Sequence, residues 1–153
     1  MTQADSQQAV ATQPPNVSRM LWLFDQWNTD FPTMCASFRE AFADDCIWEN
    51  AGMPVVRGYD EAFEKILAPS NASPFYMDAI RVDTLNIMTQ GNTVFHERID
   101  HMLRADGSVI ISISIAGVTM FDDAGQIRHW RDYCDPAPLF ALANNTPRSK
   151  SVV

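Results

Sequence analysis

Residues 77–133 read MDAIRVDTLNIMTQGNTVFHERIDHMLRADGSVIISISIAGVTMFDDAGQIRHWRDY, and this stretch decides the fold. Four runs within it, Met77 to Thr89, Thr93 to Arg104, Ser108 to Phe121 and Gln126 to Tyr133, have the residue types and alternation of β-strands. Gln90-Gly91-Asn92, Ala105-Asp106-Gly107 and Asp122 to Gly125 separate them, and their composition is that of hairpin turns. Short links between strands of this kind predict an antiparallel meander.

Upstream the period changes. Met20, Leu21, Leu23, Phe24 and Trp27 recur at helical spacing between Val17 and Phe31, with Pro32 ending the run. A second helix is expected at once, capped by Thr33 and carrying Met34, Phe38 and Phe42 on one face. Cys46 to Asn50 reads as a short strand, and a third helix runs from an Asp60 cap to about Leu67, closed by Pro69-Ser70-Asn71.

Helices first and strands afterwards give an α+β plan. The strands carry more apolar residues than one flat face shelters, so the expected architecture is a curved antiparallel mixed sheet forming a cone. About three N-terminal helices pack over its concave face, with a pocket inside. Residues 1–15, rich in Gln, Ala, Thr and Pro, read as a disordered leader, 16–143 as a single domain, and 144–153 as a mobile tail.

Charge narrows the range of partners. The 153 residues carry 11 basic and 19 acidic side chains, a formal charge of -8. Such a surface opposes phosphate backbones and anionic bilayers, so neither nucleic acid nor membrane is an expected partner. No apolar run approaches spanning length, because Val109 to Phe121 is interrupted by Ser112, Ser114, Gly117 and Thr119. The first fifteen residues hold neither a basic residue nor an apolar run, so no secretory signal is read there. Cys35, Cys46 and Cys134 are odd in number and lack CxxC spacing, which fits reduced thiols in the cytoplasm.

Strand alternation sets residues i and i+2 on one face. Three pairs follow: Trp48 with Asn50, Arg98 with Asp100, and Trp130 with Asp132. Val94, His96 and Met102 share the face of Arg98 and Asp100. If the three faces converge, two carboxylates, a guanidinium and an amide meet in an apolar cavity. Each pair also has a plainer reading, as a solvated strand face, a turn asparagine or core tryptophans. His96, His101 and His129 lack metal-ligand spacing and read as exposed or locally hydrogen-bonded. Neither a nucleophile elbow nor a glycine-rich phosphate loop is present.

Taken together, Glu97-Arg98-Ile99-Asp100, Leu103-Arg104, Ser114-Ile115-Ala116-Gly117-Val118 and Gly125-Gln126-Ile127, which runs into Trp130-Arg131-Asp132-Tyr133-Cys134-Asp135, resemble the limonene-1,2-epoxide hydrolases over about residues 17 to 143. The resemblance implies the cone of the nuclear-transport-factor-like and ketosteroid-isomerase-like superfamily. It further implies Asp132 as general base, Asp100 as general acid, Arg98 as the cation between them and Asn50 as a holder of the attacking water. Trp48 stands where the family has a water-holding tyrosine, and an indole donates a hydrogen bond but cannot accept one. Cys134 stands where the family has an aromatic residue.

The implied reaction opens a lipophilic epoxide, terpenoid or alicyclic, to a vicinal diol without metal, cofactor or covalent intermediate. Met102, Trp130, Leu139 and Phe140 are candidates for the substrate pocket, and a homodimer is expected by resemblance. An epoxide-opening cyclase or isomerase and a non-catalytic binder of hydrophobic ligands remain as alternatives on the same cone.

Overall fold

In the computed structural model, residues 12–145 are described. Apart from 12–15 and 144–145, the expected leader and tail lie outside the described residues. Helix α1 (Pro15–Trp27) opens with a proline in its first turn, where a missing N–H costs nothing. It buries Val17, Met20, Leu23, Phe24 and Trp27, a stripe at helical spacing. It ends at Trp27, earlier than the pattern through Phe31 implied.

Pro32 sits inside the first turn of α2 (Phe31–Ala41) rather than terminating α1. The cap of α2 is Asp30, whose carboxylate accepts from the Thr33 N–H at 2.8 Å. Thr33 therefore receives the cap it was expected to supply.

Strand β1 (Phe42–Asn50) follows without a linker and is longer than the expected Cys46 to Asn50. Its pairing shifts register between Phe42 and Ile47, an irregularity that hid the strand's first half. After β2 (Val56–Arg57), α3 (Gly58–Ala62) passes through one π-helical turn (Phe63–Leu67) into α4 (Ala68–Asn71). Asp60 does not cap this segment. The Arg57 N–H instead donates to Glu61 Oε2 at 2.9 Å, and the helical path runs past Pro69 because that proline falls in the first turn of α4.

The remaining strands are β3 (Ala79–Gln90), β4 (Thr93–Leu103), β5 (Val109–Phe121) and β6 (Ile127–Tyr133), and α5 (Ala137–Asn144) follows them. They pair antiparallel in sequence order, as the hairpin turns predicted. The sheet order is β2-β1-β6-β5-β4-β3, with β1 parallel to β6. The expected antiparallel meander is β3 to β6, and β1 and β2 extend the sheet beyond it. The whole is an α+β cone built on an open, mixed, curved sheet.

The helices cover one face of that sheet with aromatic rings. Trp27 of α1 stacks on Phe38 of α2 at 4.9 Å and on Trp130 of β6 at 5.7 Å. Phe38, Trp48 and Trp130 close the cluster. All of these side chains are buried, and rings of this size each remove a large apolar area from water. The cluster fixes the two helices over the strands that carry the polar residues. Among the described residues no helix is long and apolar enough to cross a membrane.

Candidate active site

Pairing across the sheet assembles the site in rows. One row runs Trp48, Trp130, Thr119, Val94 across β1, β6, β5 and β4. The next runs Asn50, Asp132, Gly117, His96. Arg98 and Asp100 follow His96 along β4, opposite Ile115 and Ile113. Side-chain alternation sends these residues to the face that α1 and α2 cover. Three distant stretches of chain meet there.

Arg98 is 1% exposed and Asp100 and Asp132 are each 4% exposed, so none reaches bulk solvent. Arg98 Nε donates to Asp100 Oδ1 at 2.9 Å and Nη2 to Asp100 Oδ2 at 3.2 Å. Its Nη2 also donates to Asp132 Oδ2 at 2.8 Å, and Nη1 to Asp132 Oδ1 at 3.1 Å. The remaining Nη1 hydrogen points at His96 Nδ1, 2.9 Å away. Each of the five guanidinium N–H groups has an acceptor. Two bidentate carboxylates on one arginine make a rigid arrangement, because both the distances and the plane are fixed.

The two carboxylates are held differently. Asp132 accepts a third hydrogen bond, from Trp130 Nε1 at 2.8 Å, whereas the donors recorded on Asp100 are those of Arg98. Three donors make Asp132 the better seat for a negative charge. Burial pushes the Asp100 carboxyl up from its ordinary value; Arg98 pulls it back, and the neighbouring Asp132 charge adds to the rise. For Arg98, burial disfavours the charge, but attraction by Asp132 and Asp100 overcomes that loss and its pKa rises. One arginine compensates one carboxylate, so the buried group favours holding a single proton between its two acids.

His96 completes the cluster. A guanidinium only donates, so Nδ1 of His96 accepts, and the ring proton lies on Nε2, which faces Thr119 Oγ1 at 3.1 Å. Burial first, and then Arg98, lowers its pKa to about 4, against the opposing pull of Asp132. A depressed histidine contributes stability that is present above its unfolded value of 6.5 and is lost as pH falls through about 4. That interval corresponds to roughly 3 kcal/mol. The stability difference between the wild type and His96→Gln is therefore expected to move against the wild type by about that amount between pH 7 and pH 4. Urea titrations at both values check it, with Asp100, whose pH dependence has the opposite sign, common to both proteins.

The glycine of the polar row is equally specific. A Cβ on Gly117 would lie 1.9 Å from His96 Cε1 and 2.7 Å from Asp132 Oδ1. His96 and Asp132 converge over a bare backbone. Gly117→Ala is expected to cost about 1–3 kcal/mol through overpacking, measured by urea unfolding.

The triad opens on a cavity of about 60 Å3. Asn50, Arg98, Asp100 and Asp132 line its polar end, and Met53, Met77, Met102, Ile113, Ile115 and Leu139 much of the rest. Trp27 and Trp48 also line it, and both indole N–H groups are buried without a partner. A buried donor in this condition favours an oxygen acceptor in the cavity. Cys134 borders the same space, and burial raises its thiol pKa.

Met102, Leu139, Trp48 and Asn50 line this cavity. Trp130 does not: it is fully buried behind Asp132 and orients that carboxylate instead of forming the cavity wall. Phe140 is 48% exposed and lies outside the cavity lining, beside Gly52, whose positive φ of 77° and missing Cβ admit it together with Pro136. Its neighbour Leu139 points inward, as one-residue steps on a helix allow. His101 and His129 are locally hydrogen-bonded, to Asp83 and Ser112 and to Glu49. The sequence reading gave no role to His96 or Gly117. The i+2 spacing from His96 to Arg98, and a glycine inside an apolar strand, were the available signals.

The family profile for the limonene-1,2-epoxide hydrolase catalytic domain matches residues 28–148. Among solved structures, an LEH-like epoxide hydrolase from M. tuberculosis aligns with a TM-score of 0.62 and 21% identity, covering 84% of this chain and 88% of that one. A putative SnoaL-like polyketide cyclase from Jannaschia sp. CCS1 aligns at 0.65 and 16%, covering 89% and 98%. An NTF2-like protein of unknown function from Cytophaga hutchinsonii aligns at 0.59 and 18%, covering 85% and 98%. At these identities the structures share the fold. No match is found among curated protein sequences.

Proposed function

The chain belongs to the limonene-1,2-epoxide hydrolase catalytic-domain family, and we propose that it hydrolyses a lipophilic epoxide to a vicinal diol in one step. The observation that carries this reading is the buried Asp100–Arg98–Asp132 group, whose unlike carboxylates face one cavity. Asp132 takes a proton from water while the water oxygen attacks an epoxide carbon. The carbon–oxygen bond breaks, and Asp100 gives its proton to the leaving oxygen. Both ring carbons then bear hydroxyls, and return of the proton from Asp132 to Asp100 restores the site. Neither metal nor cofactor takes part.

Asn50 holds the water, and the unpartnered N–H of Trp48 supplies a donor to it. The cavity has room for a few waters by volume, at about 10–15 Å3 each. A terpenoid or alicyclic substrate enters by displacing them and by repacking Met53, Met77 and Met102, whose unbranched thioethers adapt to shape.

The test is a panel of epoxides incubated with the protein in oxygen-18 water. One labelled oxygen per diol supports the reading. A cyclic ether or isomer without label favours the second reading, an epoxide-opening cyclase or isomerase, in which Trp48 crowds out the water. A ligand that raises Tm and is never turned over favours a non-catalytic binder.

We further propose a homodimer formed through the outer sheet face, where Met88, Phe95 and Tyr133 are exposed around one groove. Residence in the cytoplasm is supported by the free thiols of Cys35, Cys46 and Cys134.

A further inference from the structure

The acid/base scheme leaves a buried histidine without a role, although it sits against the arginine that joins the two acids. We propose that His96 is a positioning residue: as a neutral imidazole protonated on Nε2, it takes the fifth N–H of Arg98 and so fixes the guanidinium plane that sets Asp100 against Asp132. The inference rests on the hydrolase reading for its kinetic consequence, and on geometry alone for its structural one.

Four observations carry it. Arg98 Nη1 has two hydrogens, one spent on Asp132 Oδ1 and the other directed at His96 Nδ1. Thr119 Oγ1 stands at Nε2 and accepts the ring proton, which leaves Nδ1 with its lone pair free for Arg98. The Phe24 and Trp130 rings meet the imidazole edge-on at 5.5 Å and 5.9 Å, so it cannot swing away from the arginine. Gly117 then removes the one Cβ that would separate His96 from Asp132. The charged groups acting on the ring are Arg98 on its own strand and Asp132 on β6; burial and Arg98 favour the neutral imidazole, Asp132 opposes them, and the net effect lowers its pKa to about 4.

Removal of the acceptor leaves a cationic N–H buried and unmet. The guanidinium then tilts to recover a partner, and both carboxylates move with it because each is held bidentately. Displacement of reacting groups by about 1 Å can cost about 100-fold in rate. The effect falls on kcat, since His96 does not line the substrate cavity.

The experiment uses the full chain with His96→Leu and His96→Gln. Glutamine offers Arg98 a carbonyl oxygen and Thr119 an amide N–H; leucine offers neither. On the best substrate of the epoxide panel, His96→Leu is expected to lose roughly 10- to 100-fold in kcat per folded molecule with KM little changed. His96→Gln is expected to keep kcat within about threefold, well inside that loss. Nitrogen-15 NMR of the wild type at pH 7 tests the geometry without any substrate or variant. A proton on Nε2 and a bare Nδ1 are expected. A bare Nε2 or a doubly protonated ring overturns the proposal, as does folded His96→Leu with wild-type kcat. If no epoxide is turned over, the hydrolase reading fails while the imidazole spectrum still decides the role of His96 at Arg98.

Discussion

Asp132→Asn is expected to lower kcat by about 100-fold to 10,000-fold, the contribution of a positioned general base. The substitution keeps the shape of the side chain but not its chemistry. Asparagine cannot take a proton from water, and its amide N–H₂ confronts donors that now converge on the carboxylate, Arg98 Nη1 and Nη2 and Trp130 Nε1. Some stability is lost with the activity, so the rate is scored per folded molecule. Asp100→Asn removes the other acid. Its amide N–H₂ meets one of the two Arg98 donors from which the carboxyl accepts, Nε or Nη2, so some stability is lost here too. Loss of the proton donor to the epoxide oxygen is expected to give a fall in kcat of similar size. Stopped activity in both variants, with near-UV circular dichroism unchanged, is the expected outcome. Full turnover in folded Asp132→Asn removes the base assignment.

Arg98→Met is expected to have the largest effect on stability. Methionine fills much of the space but leaves two carboxylates buried without their counter-ion, and losing one partner of a buried ion pair costs about 3–5 kcal/mol. For a chain of this length that corresponds to a drop in Tm of roughly 6–20 °C. The loss depends on pH in a defined direction. With Arg98 gone, burial is unopposed and the buried acids favour their neutral forms. Such a group stabilises the fold below its unfolded value and loses that contribution as pH rises. The Tm gap between variant and wild type is therefore expected to narrow as pH falls from 7 toward 4. Arg98→Lys is not a rescue, because an ammonium has three donors and no planar fork for two bidentate acids. Thermal scans across pH check all three statements.

The sequence exposes the parts of this site that depend on local alternation. Val94, His96, Arg98 and Asp100 are buried in succession along β4, and the i+2 rule alone puts them on one face. The hairpin turns around Gly91, Gly107 and Gly125, all with positive φ, likewise read directly from composition. What the local pattern does not hold is pairing between distant strands. The parallel register that brings Asn50 beside Asp132 joins residues 82 positions apart, and nothing in either stretch specifies a parallel neighbour. The start of β1 was hidden for a different reason. Asp44-Asp45 resembles a helix exit, yet these exposed acids stand within the strand, where the pairing with β6 shifts register between Phe42 and Ile47.

Helix ends fail where two signals compete. Asp30, Pro32 and Thr33 each suit the start of α2, and the structure uses the first as cap and the second as a first-turn residue. Trp130 and Phe140 show the limit for side chains of one kind. An aromatic residue beside a catalytic candidate can form the cavity wall, stand behind the acid or lie outside, and only packing chooses. The sequence places His96 on the face of Arg98 but not its contact with the guanidinium, because its neutral state arises from burial, Arg98 and Thr119 acting together, none of which a lone histidine announces.

The account depends on the two aspartates sharing one proton that resides on Asp100 at neutral pH. Infrared spectroscopy of protein labelled with carbon-13 aspartate reads this directly through the carbonyl stretch of a protonated carboxyl. At pH 7 the wild type is expected to show one such band, isotopically shifted and absent in Asp100→Asn. A wild-type spectrum with carboxylate bands alone, or a carboxyl band that survives in Asp100→Asn, contradicts it.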